Sequence, residues 1–471
     1  MTDLARRLTS SDASFLYLEK PRNPMHVGTC NVYDGKLTRD EVVRLLAARM
    51  HLLPRYRQKV VFPPLPIAHP TWEDDPDFDL ERHVEAAELP APGDDRVLSR
   101  FGGELFAPQL DRNHPLWKLI VLGGREDGNT AILWKIHHAM VDGISGMDLT
   151  VVMHDLKADA TSPSAATAPT PRPMPDNLSL LEDAVRDRLS DLASWWTAET
   201  FRWLRPGEMA SRFARLARGW VSPSARELMR PAPAMPFNGA LSGELEFVWT
   251  PLPFGEVRRI RSALGGTVND VVLAVVAGGL GRYLRHHRLP TEGVEVRAMC
   301  PVSMRKEDER GALGNLVSAM IVPLYVGITD PIERLDAERR AMNRLKAEDQ
   351  AGALYEAAGF AQRIPPVLQA YGGSFDLPNR VINTVSTNVP GPQVPLFLGG
   401  RRLIGFYPIP PVAGGLGLVN AIISYDQKLT VGTSVDPKLV PDPWYYAESL
   451  RASFDELVEA AQRATATREV A

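Results

Sequence analysis

Two adjacent histidines, followed by an aspartate and a glycine, form the stretch of this chain best suited to chemistry. It reads HHAMVDG and runs from His137 to Gly143. The chain has only ten histidines in 471 residues, so two side by side are unusual. Such a group can ligate a metal, be satisfied by hydrogen bonds in a core, or take a proton from a substrate.

A metal site is the least supported of these three interpretations. Adjacent histidines project in different directions, and His137 and His138 lack the i, i+4 pairing of a helical zinc site. Asp142 can supply a third ligand, but no cysteine cluster or HxxE element accompanies it. We therefore predict that the motif holds no metal.

A general base is the role expected of His138, whereas His137 is expected to be a structural core histidine. Neutral imidazole titrates near pH 7 and can take a proton from an alcohol that attacks a carbonyl. Such a base contributes roughly 10²–10⁴-fold to the rate. Asp142 can orient the imidazole or hold the loop, and Gly143 permits a tight turn.

The sequence shows no covalent nucleophile. It contains no GxSxG elbow, and neither Cys30 nor Cys300 lies in a partner motif. This favours direct transfer within a ternary complex.

The elements around the motif are predicted to be a buried strand and an amphipathic helix. Residues 131–136, AILWKI, are a short apolar run that leads directly into His137. Apolar residues after Gly143 recur at helical spacing. Further along, Thr267 and Asp270 open a predicted helix with the spacing of a capping box. The motif is therefore expected at a strand–loop–helix junction.

Composition indicates a soluble globular protein of two domains. The chain is 44% hydrophobic and 23% charged, and its net charge of −4 gives no basic field for nucleic acid. Two cysteines suit a reducing cytoplasm. We find no signal peptide and no run of about 18 apolar residues, so no membrane-spanning helix is predicted.

Four regions are predicted along the chain. Residues 1–158 form an N-terminal domain with the histidine motif, and residues 159–178 form a flexible linker, because they are rich in Pro, Ala, Ser and Thr. Residues 179–235 are a helical connecting segment, and residues 236–471 form a second domain. In the connecting segment Arg212, Arg215 and Arg218 lie away from an apolar stripe. This face either docks on an anionic membrane or is a solvated face of a packed helix.

Several motifs together resemble one enzyme family. HHxxxDG after a strand resembles the signature of the CoA-dependent acyltransferase superfamily, which includes chloramphenicol acetyltransferase and peptide-synthetase condensation domains. Pro115, Leu116 and Trp117 are similar to the PLW motif of the bacterial wax ester synthase/acyl-CoA:diacylglycerol acyltransferase family. Asn269 and Asp270 resemble its Asn-Asp pair. The stretches LTSSDASFLYLE…NPMHVG, CPVSMR, GALGNLVS and STNVPGP extend the resemblance over about residues 8–460.

The resemblance implies a mixed α/β fold of two chloramphenicol-acetyltransferase-like domains with a channel between them. Acyl-CoA would enter from one side and a lipid alcohol from the other, and the two would meet at His138. Asn269 would help to hold the oxyanion, where one donor is worth ~3 kcal/mol. Asp142 and Asp270 are interpreted mainly as structural support, and Trp117 either lines an acyl tunnel or is a core aromatic residue.

The expected function is that of a long-chain acyl-CoA-dependent O-acyltransferase that makes triacylglycerol from diacylglycerol, and in addition wax ester from a fatty alcohol. Acyl-CoA is then a substrate, and no bound cofactor is expected. The expected location is the cytoplasm, with peripheral attachment to the inner membrane or to lipid bodies. Alternatives are a related acyltransferase with another alcohol or amine acceptor, and a non-catalytic lipid-surface protein.

Overall fold

The structure is a computed structural model that describes residues 6–141, 150–159, 171–203, 207, 230–303, 317–361, 364–373 and 381–470. Within these ranges the strands form two six-stranded sheets and one two-stranded sheet, with helices packed against them. This confirms the mixed α/β fold class.

The first half of the chain supplies three helices and most strands of the first large sheet. Helices α1, α2 and α3 span Ser10–Leu18, Arg39–Arg49 and Asp95–Phe106. Strands β1 to β6 span His26–Tyr33, Gln58–Val61, Thr71–Asp74, Val84–Glu88, Trp117–Gly123 and Thr130–His137. Short 3₁₀ turns cover Met50–Leu52, Pro54–Arg57, Leu80–His83 and His138–Met140.

Strand β6 lies at the centre of the first sheet, and all eight of its residues are buried. It pairs antiparallel with β1 on one side and with β5 on the other. Its side chains alternate between two cores, so that Trp134 packs with one cluster and Leu133 with another. A strand buried on both faces needs a nearly continuous apolar run, and AILWKI, which only Lys135 interrupts, predicted it for this reason.

The second half of the chain forms the second large sheet and a helical layer. After α4 (Asn177–Trp203), the helices α5 to α10 span Phe254–Leu264, Val268–His286, Pro331–Ala347, Gln350–Ala361, Pro366–Gly373 and Pro443–Val470. Strands β7 to β14 span Glu246–Pro253, Glu295–Ser303, Val317–Tyr325, Thr384–Pro390, Phe397–Leu398, Arg401–Ile409, Leu418–Tyr425 and Lys428–Val435. The second sheet has the order β7-β14-β13-β10-β8-β9.

Helix α6 is the central helix of this half. Thr267 caps it, and the reciprocal bonds between Thr267 and Asp270 confirm the predicted capping box. Its residues from Asp270 to Leu284 are almost all buried, because α7, α10 and β9 pack around it. Gly278 allows α10 to approach closely, since a Cβ atom there would lie 2.2 Å from Ser453 Oγ.

The first sheet takes two of its strands from the second half of the chain. Its order is β11-β12-β1-β6-β5-β4, and β12 pairs antiparallel with β1 so that Gly28 lies opposite Ile409. Residues 1–158, predicted as the N-terminal domain, therefore do not contain the whole first sheet, because β11 and β12 come from the second half of the chain.

The connection between the two halves is described only in part. Residues 171–176 have no regular structure, and Asn177 begins α4. Arg212, Arg215 and Arg218 lie outside the described residues. Within the described ranges no single helix is long and apolar enough to cross a membrane. Helices α5 and α6 together have the length and composition of a membrane span, but their axes are bent by 101°.

Candidate active site

The histidine motif lies where β6 ends, and the backbone there is held from both sides. The N–H of His137 donates to the carbonyl of Leu116, just before β5, at 2.9 Å. The N–H of His138 donates to the carbonyl of Met25, just before β1, at 2.8 Å. The end of β6 is therefore held by backbone hydrogen bonds to the residues just before both of its neighbouring strands. Asp142 and Gly143 lie outside the described residues, so their roles stay predictions.

His138 lies in the 3₁₀ turn after β6, with its ring stacked on Phe15 of α1. The ring centroids are 3.9 Å apart and the planes differ by 19°. Its Nδ1 is buried and makes no hydrogen bond to another residue of the described part of the chain. Burial, and to a smaller extent the nearby His137, lowers the pKa of His138 to about 4. The imidazole is therefore neutral at pH 7 and free to accept a proton.

His137 is fully buried and is used for positioning. Its Nδ1 accepts the N–H of Ala139 at 3.1 Å, which closes the turn that carries His138. Because Nδ1 accepts, Nε2 is the nitrogen that carries a proton, and it lies 3.5 Å from Glu19 Oε1. His137 thus links the turn to a carboxylate from the end of α1.

Glu19 joins three parts of the first half beneath the motif. Its Oε1 lies 3.3 Å from His26 Nε2 and accepts the N–H of Met25 at 3.3 Å. Its Oε2 accepts Arg112 Nη2 at 2.9 Å. Burial alone would raise the pKa of this carboxyl, but the contacts with His137, His26 and Arg112 outweigh burial and hold it far below its usual range. Glu19 is a buried carboxylate with its partners in place.

The stretches LTSSDASFLYLE and NPMHVG contain Glu19 and His26, but neither residue was predicted to have a role at the site. The available signal was a carboxylate at the end of the apolar helix FLYL. A buried acid needs a partner, and the partners here come from positions 26, 112 and 137. Nothing local in the sequence links those positions.

The Pro115-Leu116-Trp117 motif braces the strand that carries the histidines. Leu116 supplies the carbonyl bonded to His137, and Trp117 Nε1 donates to the carbonyl of Tyr56 at 2.7 Å. The Trp117 ring stacks on His83 with centroids 4.4 Å apart. It also borders an apolar cavity of about 10 Å³, which is no larger than one water requires. Trp117 is 4% exposed and packs as a core aromatic residue, and whether it lines an acyl tunnel stays a prediction.

Asn269 and Asp270 lie at the start of α6. Asp270 is buried, and its Oδ2 accepts the backbone N–H of Thr267 at 2.7 Å and its hydroxyl at 2.9 Å. This is the capping role. Asn269 is half-buried, and within the described residues its side chain makes no hydrogen bond. Its role toward the oxyanion therefore stays a prediction.

A cluster with metal-ligand spacing occurs elsewhere in the molecule. Among the described residues it consists of His286, His287 and Asp442, whose ligand atoms lie within 4.8 Å of one another. His137 and His138 are not part of it. What the histidine motif offers in the described residues is one neutral, half-buried imidazole on a fixed turn, which suits proton transfer.

Comparisons with known proteins identify the relatives of this chain. Residues 8–272 match the wax ester synthase/diacylglycerol acyltransferase catalytic domain, and residues 313–458 match the WS/DGAT C-terminal domain. A putative diacylglycerol O-acyltransferase of Mycobacterium tuberculosis is 31% identical over 99% of this chain and 100% of its own length. A probable diacylglycerol O-acyltransferase of the same organism is 31% identical over 98% of this chain and 97% of its own.

Solved structures agree with this relationship at the level of fold. The wax ester synthase/diacylglycerol acyltransferase from Marinobacter aquaeolei VT8 has a TM-score of 0.67 and 24% identity, covering 97% of this chain and 100% of that one. The first condensation domain of the calcium-dependent antibiotic synthetase has a TM-score of 0.60 and 17% identity, covering 98% of each chain. The motifs, the fold and the relatives of matching length agree, and the chain belongs to the wax ester synthase/diacylglycerol acyltransferase family.

Proposed function

We propose that this chain transfers a long-chain acyl group from acyl-CoA to diacylglycerol, and in addition to fatty alcohols, with His138 as general base. The observation that carries the proposal is the neutral, half-buried imidazole of His138 on a turn fixed by Leu116 and Met25. Family membership supports the reaction class and both acceptors.

The proposed reaction has two proton transfers and no acyl-enzyme. His138 takes the proton of the acceptor hydroxyl as its oxygen attacks the thioester carbonyl, which forms a tetrahedral oxyanion. The carbon–sulfur bond then breaks, and the imidazolium returns the proton to the CoA sulfur. The products are an ester and free CoA.

Neither cysteine suits a covalent route. Cys30 and Cys300 are both buried. Burial raises the pKa of Cys300 to about 12 and raises the pKa of Cys30 well above its usual range. The thiolate is the nucleophilic form, and these thiols stay protonated at neutral pH. This supports attack by the acceptor oxygen itself.

The remaining roles extend the proposal. Asn269 would donate to the oxyanion once substrates occupy a channel between the two halves, and Asp142 would support the loop after His138. Gly143 would allow that loop its tight turn. The enzyme would work in the cytoplasm, docked peripherally on the inner membrane or on lipid bodies, because diacylglycerol is insoluble. The arginine-rich stretch with Arg212, Arg215 and Arg218 would aid docking on anionic lipid.

The test is release of CoA thiol from palmitoyl-CoA, with diacylglycerol or hexadecanol as acceptor. We expect acceptor-dependent release by the wild type and a loss of roughly 10²–10⁴-fold in kcat for His138→Ala. The exposed His286→Ala variant is the matched control and should retain wild-type activity. Circular dichroism checks that each variant is folded.

The outcome also separates the possible acceptors. Absence of CoA release with both diacylglycerol and hexadecanol would overturn the proposal that the enzyme makes triacylglycerol or wax ester. A panel of sugar, polyketide and amine acceptors would then test for a related acyltransferase. Full activity in folded His138→Ala would exclude His138 as the base, whichever acceptor is used.

A further inference from the structure

A second cavity, of about 340 Å³, lies in the first half of the chain, and His138 does not line it. Its wall is formed by the end of α3, the loop that follows it, and strands β4 to β6. Its size falls within the range of about 300–1,000 Å³ typical of small-molecule sites. Lys135 of β6 borders it together with Trp117 and His83.

Lys135 is a buried cation without an acidic partner. Only 3% of the residue is exposed. Its ammonium donates to the carbonyl of Pro108 and lies 5.7 Å from the centroid of the Phe106 ring. In the described part of the chain, no carboxylate oxygen lies within 4 Å of Lys135 Nζ. A buried charge is costly unless it is paired, and one carbonyl leaves two N–H donors unused.

The neighbouring strand makes this position less favourable still. Lys118 of β5 lies directly opposite Lys135 in the antiparallel ladder. Like charges in such a pair are destabilising. Lys118 is balanced by Glu85, whose Oε1 lies 2.6 Å from its Nζ, so the unbalanced charge is that of Lys135. Burial, and then the charge of Lys118, lowers the pKa of Lys135 to about 7, because the carboxylates of Glu19 and Glu85 offset these effects only in part.

Polar groups around the cavity add hydrogen-bonding capacity. His83 donates from Nδ1 to the carbonyl of Trp117 at 2.8 Å, since a carbonyl cannot donate. Its Nε2 is therefore left without a hydrogen bond in the described residues. His114 and Gln109 border the cavity as well. The acidic residues Glu85, Glu104 and Asp111 also border the cavity, but all three are exposed, where solvent screens them, and Glu85 is paired with Lys118.

We propose that this cavity binds a phosphate group, with the ammonium of Lys135 as its central donor. Phosphate offers oxygens in several directions, which suits donors that come from β6, β5 and the turn before β4. The bound anion would neutralise the charge that the protein itself leaves unpaired. The cavity has room for more than the ion, so the ligand class is a phosphate ester. A soluble phosphoester and a glycerolipid headgroup share this chemistry.

The test is calorimetric titration of the full-length protein with inorganic phosphate, glycerol 3-phosphate and CoA, in chloride buffer of constant ionic strength. We expect saturable binding of inorganic phosphate that Lys135→Met weakens by about tenfold or more. Lys428→Met removes an exposed lysine of β14 and is the matched control, with binding within about twofold of wild type. Binding of the two esters counts only where Lys135→Met weakens it.

The arms of the titration identify the source of the phosphate. Tighter binding of glycerol 3-phosphate supports a glycerolipid headgroup, and tighter binding of CoA supports a soluble phosphoester. Equal affinity for all three supports the free ion. Absence of binding to the wild type, or equal binding to a folded Lys135→Met variant, would overturn the proposal. A melting temperature of Lys135→Met at or above that of the wild type in phosphate-free buffer shows that its fold is intact.

Discussion

Glu19 and Lys135 are two buried charges at the same face of the first sheet, and they differ in how their charges are balanced. Glu19 is in contact with His26, His137, Arg112 and a backbone N–H, so its negative charge is compensated within the protein. Lys135 has one carbonyl and the face of one ring. Burial costs each charge its hydration energy. We therefore interpret Glu19, whose charge is compensated, as structural support, and Lys135, whose charge is not, as part of a ligand site.

Removing the Glu19 carboxylate tests most directly whether its compensated charge stabilises the fold. Glu19→Ala removes the carboxylate that His26, His137 and Arg112 share, and it leaves Nε2 of the buried His137 without an acceptor. We expect the free energy of unfolding to fall by about 3–5 kcal/mol. Urea denaturation at pH 7 measures it, and exposed Glu126→Ala should stay within about 0.5 kcal/mol of wild type. A loss of less than 1 kcal/mol for Glu19→Ala would show that the network contributes little.

A milder change at the same position separates positioning from stability. Glu19→Gln keeps the shape of the side chain but removes the charge that orients His137, and through Ala139 the turn with His138. We expect kcat to fall about tenfold to hundredfold, with little change in KM for palmitoyl-CoA, because misplacement by about 1 Å has that cost. Glu19→Asp should recover part of kcat. A rise in KM with unchanged kcat would instead place Glu19 in substrate binding.

The smallest expected effect concerns Lys135 and has the opposite sign. Without phosphate, Lys135→Met should raise the free energy of unfolding at pH 7 or below by about 1 kcal/mol, since replacing a buried charge by an apolar group is often stabilising.

The pH dependence of that gain follows from the lowered pKa of Lys135. The unfolded lysine titrates near 10.4 and the folded one at about 7, so between these values the unfolded state binds more protons. Wild-type stability should therefore recover as pH rises from 7 to about 10, and the advantage of Lys135→Met should shrink. Denaturation at pH 6.5, 8 and 9.5 measures this, with Lys428→Met as control. A constant difference across the range would contradict a buried, titrating Lys135.

Local sequence patterns predicted β6 and the start of α6, but the helix expected after Gly143 ends at Met153, and Leu156, the last residue of its apolar spacing, lies beyond that end and is exposed. AILWKI predicted β6 because a strand buried on both faces cannot carry alternating polar residues. Thr267 and Asp270 predicted the start of α6 because their reciprocal bonds close within one turn. Lys135 interrupts the apolar run AILWKI. A lysine inside a strand that is predicted to be buried indicates an unusual site, and the sequence analysis made no such prediction.

Contacts between distant residues could not be predicted in the same way. The addition of β12 to the first sheet pairs residues near 28 with residues near 409, and strand pairing has no local signature. The convergence of His26, Arg112 and His137 on Glu19 has the same origin. The opposition of Lys118 and Lys135 depends on a register that only the assembled sheet defines.

The sequence by itself determined the family, the mixed α/β class and the candidate base, because motif residues and their spacing are properties of the chain. Only the tertiary structure decided which buried charges are compensated. That outcome depends on the distances between groups from separate strands and helices, and on the loss of solvent around them. It made Glu19 a support for the histidine turn and left Lys135 facing a cavity.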